Sequence, residues 1–275
     1  MNSNPLQKYF RQPKLYVSLP SKGAYLEPDI LNGTAEDMPV FAMTGMDEIL
    51  LKTPDALFNG ESTAKVIQSC CPNITDGWKI SAIDLDSLLI AIRIATYGNI
   101  MEIDHTCVNC SAENEYDVDL TTLNSHFLSI EFSNTIVIGE ITIKVRPLTY
   151  REMTNFNLEN YTLQKKLMQA AENFENPENQ KLVNELYTEI AGLQNKVFIQ
   201  SIESVIVPDG KVDDSAFIEE WIKNSETELF EKIKQHIDNN RKNWRLQPVA
   251  VECAACNTKA NLEITMDQAN FFVRK

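Results

Sequence analysis

No stretch of this sequence is apolar for long enough to cross a membrane. The best run, Leu88 to Ala95, is interrupted by Arg93, and a spanning helix needs about 20 predominantly apolar residues. The opening residues, MNSNPLQKYFRQPK, have no apolar core of the kind a signal peptide carries. Positive charge is scarce: 25 Lys and Arg stand against 39 Asp and Glu, a formal net charge of −14. Phosphate backbones are held by Lys- and Arg-rich surfaces, so this balance disfavours nucleic acid and suits basic protein partners. Six cysteines in 275 residues are too few for a disulfide scaffold. A reducing compartment is the expectation.

Recognisable catalytic machinery is also missing. There is no Walker loop, no GxGxxG and no GxSxG. The three histidines, His105, His126 and His236, lie in no HExxH or nucleophile setting. Asp84/Asp86 and Glu102/Asp104 are carboxylate pairs, but the first opens a helix and the second runs along a strand. Capping and surface roles account for both. No catalytic residue and no small-molecule substrate are expected. No solenoid repeat or low-complexity tract is present.

What the chain does have is a doubled motif. Cys107-Val108-Asn109-Cys110 recurs as Cys253-Ala254-Ala255-Cys256. Counted from the last cysteine of each, Tyr116 falls where Leu262 falls, and Val118 where Ile264 falls. Each copy reads as strand, Cys-x-x-Cys turn, strand. Two such turns supply the four thiolates of a tetrahedral shell, so Cys107, Cys110, Cys253 and Cys256 are the candidate metal ligands. Zinc in a structural role is the leading cofactor, and the soft ligand set also suits iron. Two disulfides, two redox dithiols or a metal-free remnant are the competing readings. The redox one ranks low, because strands and not helices follow both pairs. His105 would be redundant beside four thiolates. Residues 111–252 lie between the halves, so the site requires a large insertion whose ends return to one place.

Taken in order, residues 1–14 read as an arm, followed by short strands at Lys14–Leu19, Ala24–Leu26 and Pro39–Met43. Thr44 is an expected N-cap for Gly45–Lys52, with Asp47 and Glu48 in the first turn. Thr53-Pro54 signals another start. Ser62–Cys70 and Asp84–Thr96 read as helices, the latter closed by Gly98. The vicinal Cys70-Cys71 pair suits buried packing.

In the strand after the first knuckle, Glu113, Glu115, Asp117 and Asp119 share one face by the period of two. A solvated face and a surface for a basic partner both fit. Phe127–Phe132 reads as a strand, and Thr135–Ile138 with Ile141–Val145 as a hairpin. Tyr150–Phe174 and Glu178–Val205 read as a helical hairpin, the second arm lined by Leu182, Leu186, Ile190, Leu193 and Val197. Further helices are expected at Asp214–Lys223 and Glu226–Asn240, with a packed tail or strand edge at Phe271-Phe272.

The expected class is therefore α+β, with an N-terminal helical region, split zinc-ribbon-like β knuckles with a small sheet, and an inserted helical hairpin block. The expected segments are 1–100, then 101–148 together with 246–275, and 149–245 inserted between them.

Several blocks carry a family resemblance: Leu19-Pro20-Ser21-Lys22-Gly23, Met43 through Gly60, Ile67-Gln68-Ser69-Cys70, Ala91 through Gly98, and Cys107-Val108-Asn109-Cys110. Together they resemble the baseplate hub proteins of T-even-type contractile-tailed phages, mainly over residues 15–120. The resemblance implies a late virion structural or tail-assembly protein, working in the tail baseplate or in the host cytoplasm during assembly. It also implies hub and tape-measure proteins as partners, and no membrane insertion. The alternative it leaves open is an assembly chaperone absent from the mature virion. A zinc-ribbon nucleic-acid module is a third reading, disfavoured by the acidic balance.

Overall fold

The computed structural model describes residues 4–53, 60–172, 176–264 and 271–272. The chain divides into two compact units, Met1–Ile130 with Trp244–Lys275, and Glu131–Asn243. The class is α+β: eight α-helices among the described residues accompany small antiparallel sheets.

The first unit opens with β1 (Pro13–Val17) paired to β2 (Met38–Phe41). Ala24–Leu26, expected as a strand, lies in a run of turns. Asp84 decides this locally: its carboxylate accepts the Ser21 N–H at 2.8 Å and the Ser21 hydroxyl at 2.6 Å, pinning the chain in a turn. Helix α1 (Gly45–Leu51) starts at Thr44 with a reciprocal capping box to Asp47. The start signal at Thr53-Pro54 runs into residues 54–59, outside the described residues. Helix α2 (Glu61–Cys70) follows, with Ala64, Val66, Ile67 and Cys70 all buried.

Helix α3 (Ala82–Tyr97) is capped by Ser81 and ends at Gly98, whose φ of 95° is a conformation glycine adopts without strain. Its apolar residues are buried nearly all round, as befits the central element of a core.

The arm is better anchored than its polar sequence suggests. Arg11 donates to the carbonyls of Ala42 and Ser69 and to the Ser69 hydroxyl, and lies 3.5 Å from Asp47. The Ser69 hydroxyl in turn donates to Asp47 at 3.0 Å. One guanidinium thus ties the arm, the start of α1 and the end of α2 together.

β3 (Ile100–Thr106) and β4 (Glu113–Asp119) form the first knuckle's two-stranded sheet. Helix α4 (Leu120–Ser129) follows directly, with the Asp119 side chain accepting from Thr121 N–H as N-cap. The strand expected at Phe127–Phe132 is therefore corrected: its first half, Phe127 to Ser129, is the end of this helix, and the rest is not strand. Leu120, Leu123, Asn124 and Phe127 turn inward at helical spacing. Phe127 is buried and stacks on Trp244, with centroids 6.2 Å apart. That packing outweighs the local β-propensity.

In the second unit a four-stranded antiparallel sheet runs in the order β5 (Thr135–Ile138), β6 (Ile141–Val145), β7 (Ile202–Val207), β8 (Gly210–Val212). The hairpin β5–β6 forms as the pattern predicts, and β6 pairs with β7. This pairing corrects a second expectation, that the helical arm reaches Val205. Helix α6 (Pro177–Gln200) stops at Ser201, and Ile202 to Val207 are strand. Apolar residues at 202 and 205, three apart, fit the helical period in isolation. The hydrogen bonds offered by β6 select the strand.

Helix α5 (Tyr150–Glu172) lies against α6 as the expected hairpin. The seam on α6 is Val183, Leu186, Ile190, Leu193 and Val197, spaced three, four, three, four, which is the heptad alternation of a coiled coil. Leu182, expected in the seam, is 41% exposed and Val183 takes its place. Helices α7 (Ser215–Lys223) and α8 (Thr227–Asn243) complete the unit, contributing Ile218, Ile222, Ile233 and Ile237 to the core beneath the sheet.

Candidate metal centre

The two Cys-x-x-Cys turns come together although residues 111–252 separate them. The Sγ atoms of Cys107, Cys110, Cys253 and Cys256 all lie within 4.8 Å of one another. The cross-knuckle distances are 3.6 Å for Cys107–Cys256 and 3.7 Å for Cys110–Cys253. A tetrahedron of zinc–thiolate bonds at about 2.3 Å has edges of about 3.8 Å, which the two cross-knuckle distances approach. All four cysteines are free. The four can hold a metal ion.

Both turns have the same backbone. In the first, the Cys107 N–H donates to the Ala112 carbonyl at 2.9 Å and the Ser111 N–H donates to the Cys107 carbonyl at 2.9 Å. In the second, Cys253 N–H to Thr258 is 3.0 Å and Asn257 N–H to Cys253 is 2.9 Å. Ser111 and Asn257, equivalent in the two turns, both take positive φ, 58° and 56°. The likeness seen in the sequence is thus a likeness of backbone. The second turn is closed by β9 (Val249–Glu252) and β10 (Lys259–Leu262), paired as β3 and β4 are.

Side chains clamp one knuckle to the other. The Asn114 carbonyl oxygen accepts the Ala254 N–H at 3.0 Å, and its amide nitrogen donates to the Ala112 carbonyl at 3.0 Å and lies 3.5 Å from Cys253 Sγ. Asn109 Nδ2 donates to Thr258 Oγ1 at 3.2 Å and lies 3.7 Å from Cys256 Sγ. The Tyr116 hydroxyl donates to the Glu252 carbonyl at 3.0 Å. Donors aimed at sulfur favour the thiolate and steer the ligands.

Sequence reasoning found the four cysteines but missed Asn109, Asn114 and Tyr116. The available signal was an amide side chain inside one Cys-x-x-Cys and another four residues after it. His105 stays outside the cluster.

The thiols do not titrate alike. Cys253 is held below the ordinary thiol value, first by the Ala255 amide. Cys256 is pulled down to about 6, mainly by its side-chain hydrogen bond with Thr258. The Ala112 amide favours the Cys110 thiolate, but the neighbouring sulfurs and burial push that thiol up to about 12. Cys70 and Cys71 behave differently: both are fully buried, and desolvation pushes Cys70 up to about 12 and Cys71 higher still. They are inert packing groups.

A comparison with protein families matches residues 37–273 to the family described as T4 bacteriophage base plate protein. The chain belongs to that family. The matched span includes both knuckles and the residues between them. No curated protein and no solved structure matches the chain. A baseplate protein of this family is structural, located with the virion tail, and bound to other phage proteins. No described helix is long and apolar enough to cross a membrane.

The carboxylate pairs have plain roles in this setting. Asp84 is fully buried and its carboxyl is pushed up to about 6 by desolvation, against the opposing Ser21 hydrogen bonds. Glu102 and Asp104 lie on the exposed face of β3, directly opposite Asp117 and Glu115 of β4. With Glu113 and Asp119, six carboxylates share that face.

Proposed function

We propose that this chain is a structural component of the phage tail baseplate hub, acting in tail assembly by binding other hub and tape-measure proteins rather than by catalysis. The family match over residues 37–273 carries the baseplate part of this reading. The blocks from Leu19 to Cys110 that resemble hub proteins support the narrower part. The acidic face of β3 and β4 supports work by surface complementarity: like charges directly opposite on neighbouring strands destabilise a sheet, and a basic partner surface relieves that cost.

In this reading Cys107, Cys110, Cys253 and Cys256 hold a structural zinc ion. Four filled positions leave no place for a reacting water, so the metal serves as a clamp between chain segments far apart in sequence.

Quantitative mass spectrometry of this chain in purified virions, against infected-cell lysate, tests the proposal. A fixed copy number per particle supports a built-in hub component. Abundance in lysate with absence from particles overturns it in favour of an assembly chaperone for the tape-measure or hub proteins.

A further inference from the structure

An apolar groove of about 500 Å³ lies in the second unit between helix α7 and strands β7 and β8. Val205, Val207 and Val212 of the strands and Ile218 and Trp221 of the helix line it, with Phe217, which is 63% exposed. An aromatic pair beside aliphatic residues suits a binding hot spot, in which Trp is enriched. The chain segment that supplies the groove is acidic: residues 203–226 hold seven Asp and Glu against two Lys. Both lysines are already engaged, Lys211 with Asp213 and Lys223 with Glu219. Glu220 lines the groove itself and is exposed.

We infer that this groove receives a basic amphipathic helix of a partner protein, its apolar stripe seated on Val207, Val212 and Trp221 against Phe217, and its Lys or Arg residues facing Glu220 and the neighbouring carboxylates. A helix fits better than an added strand. The adjacent edge strand β8 spans only three residues, with Lys211 at its centre, and short, charged edges resist pairing. Helix-in-groove recognition needs apolar anchors at helical spacing, and charge then selects the partner. The inference rests on the protein-binding role proposed above and names the chemistry of one partner.

The test uses the full chain and two peptides of about 18 residues, each with Leu at helical spacing. One carries Lys at the polar positions and the other Glu. Hydrogen exchange maps where each peptide binds. The expected result is protection of 205–224 by the Leu/Lys peptide, with affinity at least about tenfold above that of the Leu/Glu peptide. Phe217→Asp, a change at an exposed position, is expected to lower that affinity about tenfold or more. Equal affinity for both peptides, protection elsewhere, or wild-type binding by Phe217→Asp overturns the inference. So does a concentration-dependent dimer that Phe217→Asp dissolves, since a second copy then covers the groove. Copies of the wild-type chain per virion are counted in parallel. Particles containing the chain with no peptide protection sink the groove alone, whereas protection without the chain in particles sinks the hub reading alone.

Discussion

The amide nitrogen of Asn114, on the strand leaving the first Cys-x-x-Cys, lies 3.5 Å from Cys253 Sγ in the second. The same side chain accepts the Ala254 N–H through its oxygen. One residue therefore orients a candidate ligand from the other end of the chain and fastens the two knuckles together. Asn114→Asp keeps the acceptor but replaces the donor to sulfur with a negative charge. It is expected to weaken metal retention by about 10–100-fold, with the secondary structure unchanged. Competition with a colorimetric chelator reads this, and wild-type retention in Asn114→Asp removes the role assigned to the amide.

Metal content is the more basic measurement. Protein purified under reducing, chelator-free conditions is expected to carry one zinc per chain by elemental analysis. Removing it releases the constraint between 107–110 and 253–256, and Tm is expected to fall by on the order of 10 °C. Cys253→Ser is expected to reproduce the loss. A metal-free protein with full stability would refute the clamp.

Gly77 sits where a side chain has no room. A Cβ there would collide with the Ala64 carbonyl oxygen and lie 2.9 Å from the Ala64 Cα. Backbone on α2 cannot step aside as a flexible side chain would. Gly77→Ala is expected to cost about 1–3 kcal/mol, read by denaturant unfolding, whereas Gly192→Ala meets nothing within 4 Å and removes a poor helix former. Equal effects of the two changes would refute the close-packing account.

Asp86 gives a pH signature. Burial pushes its carboxyl up to about 6 from 3.8. Between those values the folded chain holds more protons than the unfolded one, so unfolding free energy declines as pH rises through the window. Asp86→Asn removes that penalty. The variant is expected to be more stable than wild type at pH 7, with the advantage shrinking as pH falls toward 4. Melting curves across this range check it, and a difference independent of pH would count against a desolvated carboxylate.

The acidic face makes a salt-dependent prediction. Glu102 lies directly across from Asp117. Glu102→Lys turns a like pair into an opposite one and is expected to stabilise the first unit by about 0.2–1 kcal/mol, less in high salt. Thermal melts at two ionic strengths measure it. If the face serves a basic partner, the same change weakens partner binding while it stabilises the free chain.

Much of the candidate site was legible in the sequence because its signal is local. Each Cys-x-x-Cys carries its own turn chemistry and flanking alternation, and repetition of the pattern paired the halves without a structure. Caps at Thr44 and Gly98 were legible for the same reason: a single side chain or a missing Cβ decides each. The hairpin β5–β6 announced itself by alternation and a Gly-Glu turn.

What the sequence left open turns on partners distant along the chain. Phe127 satisfies a strand pattern until Trp244, more than a hundred residues away, offers a ring to stack on. Ile202 and Val205 fit a helix until β6 presents unpaired hydrogen-bonding groups. Leu182 and Val183 are both apolar, and only the rotation of α6 against α5 selects the second. Arg11 reads as part of a solvated arm until Asp47 and Ser69 converge on it. Composition, periodicity and spacing determined the class, the candidate ligands and the absence of catalytic motifs, because each rests on patterns local to the chain. The tertiary structure alone decided which residues hold the knuckles together and where an apolar groove stays open, because both require surfaces that meet only after folding.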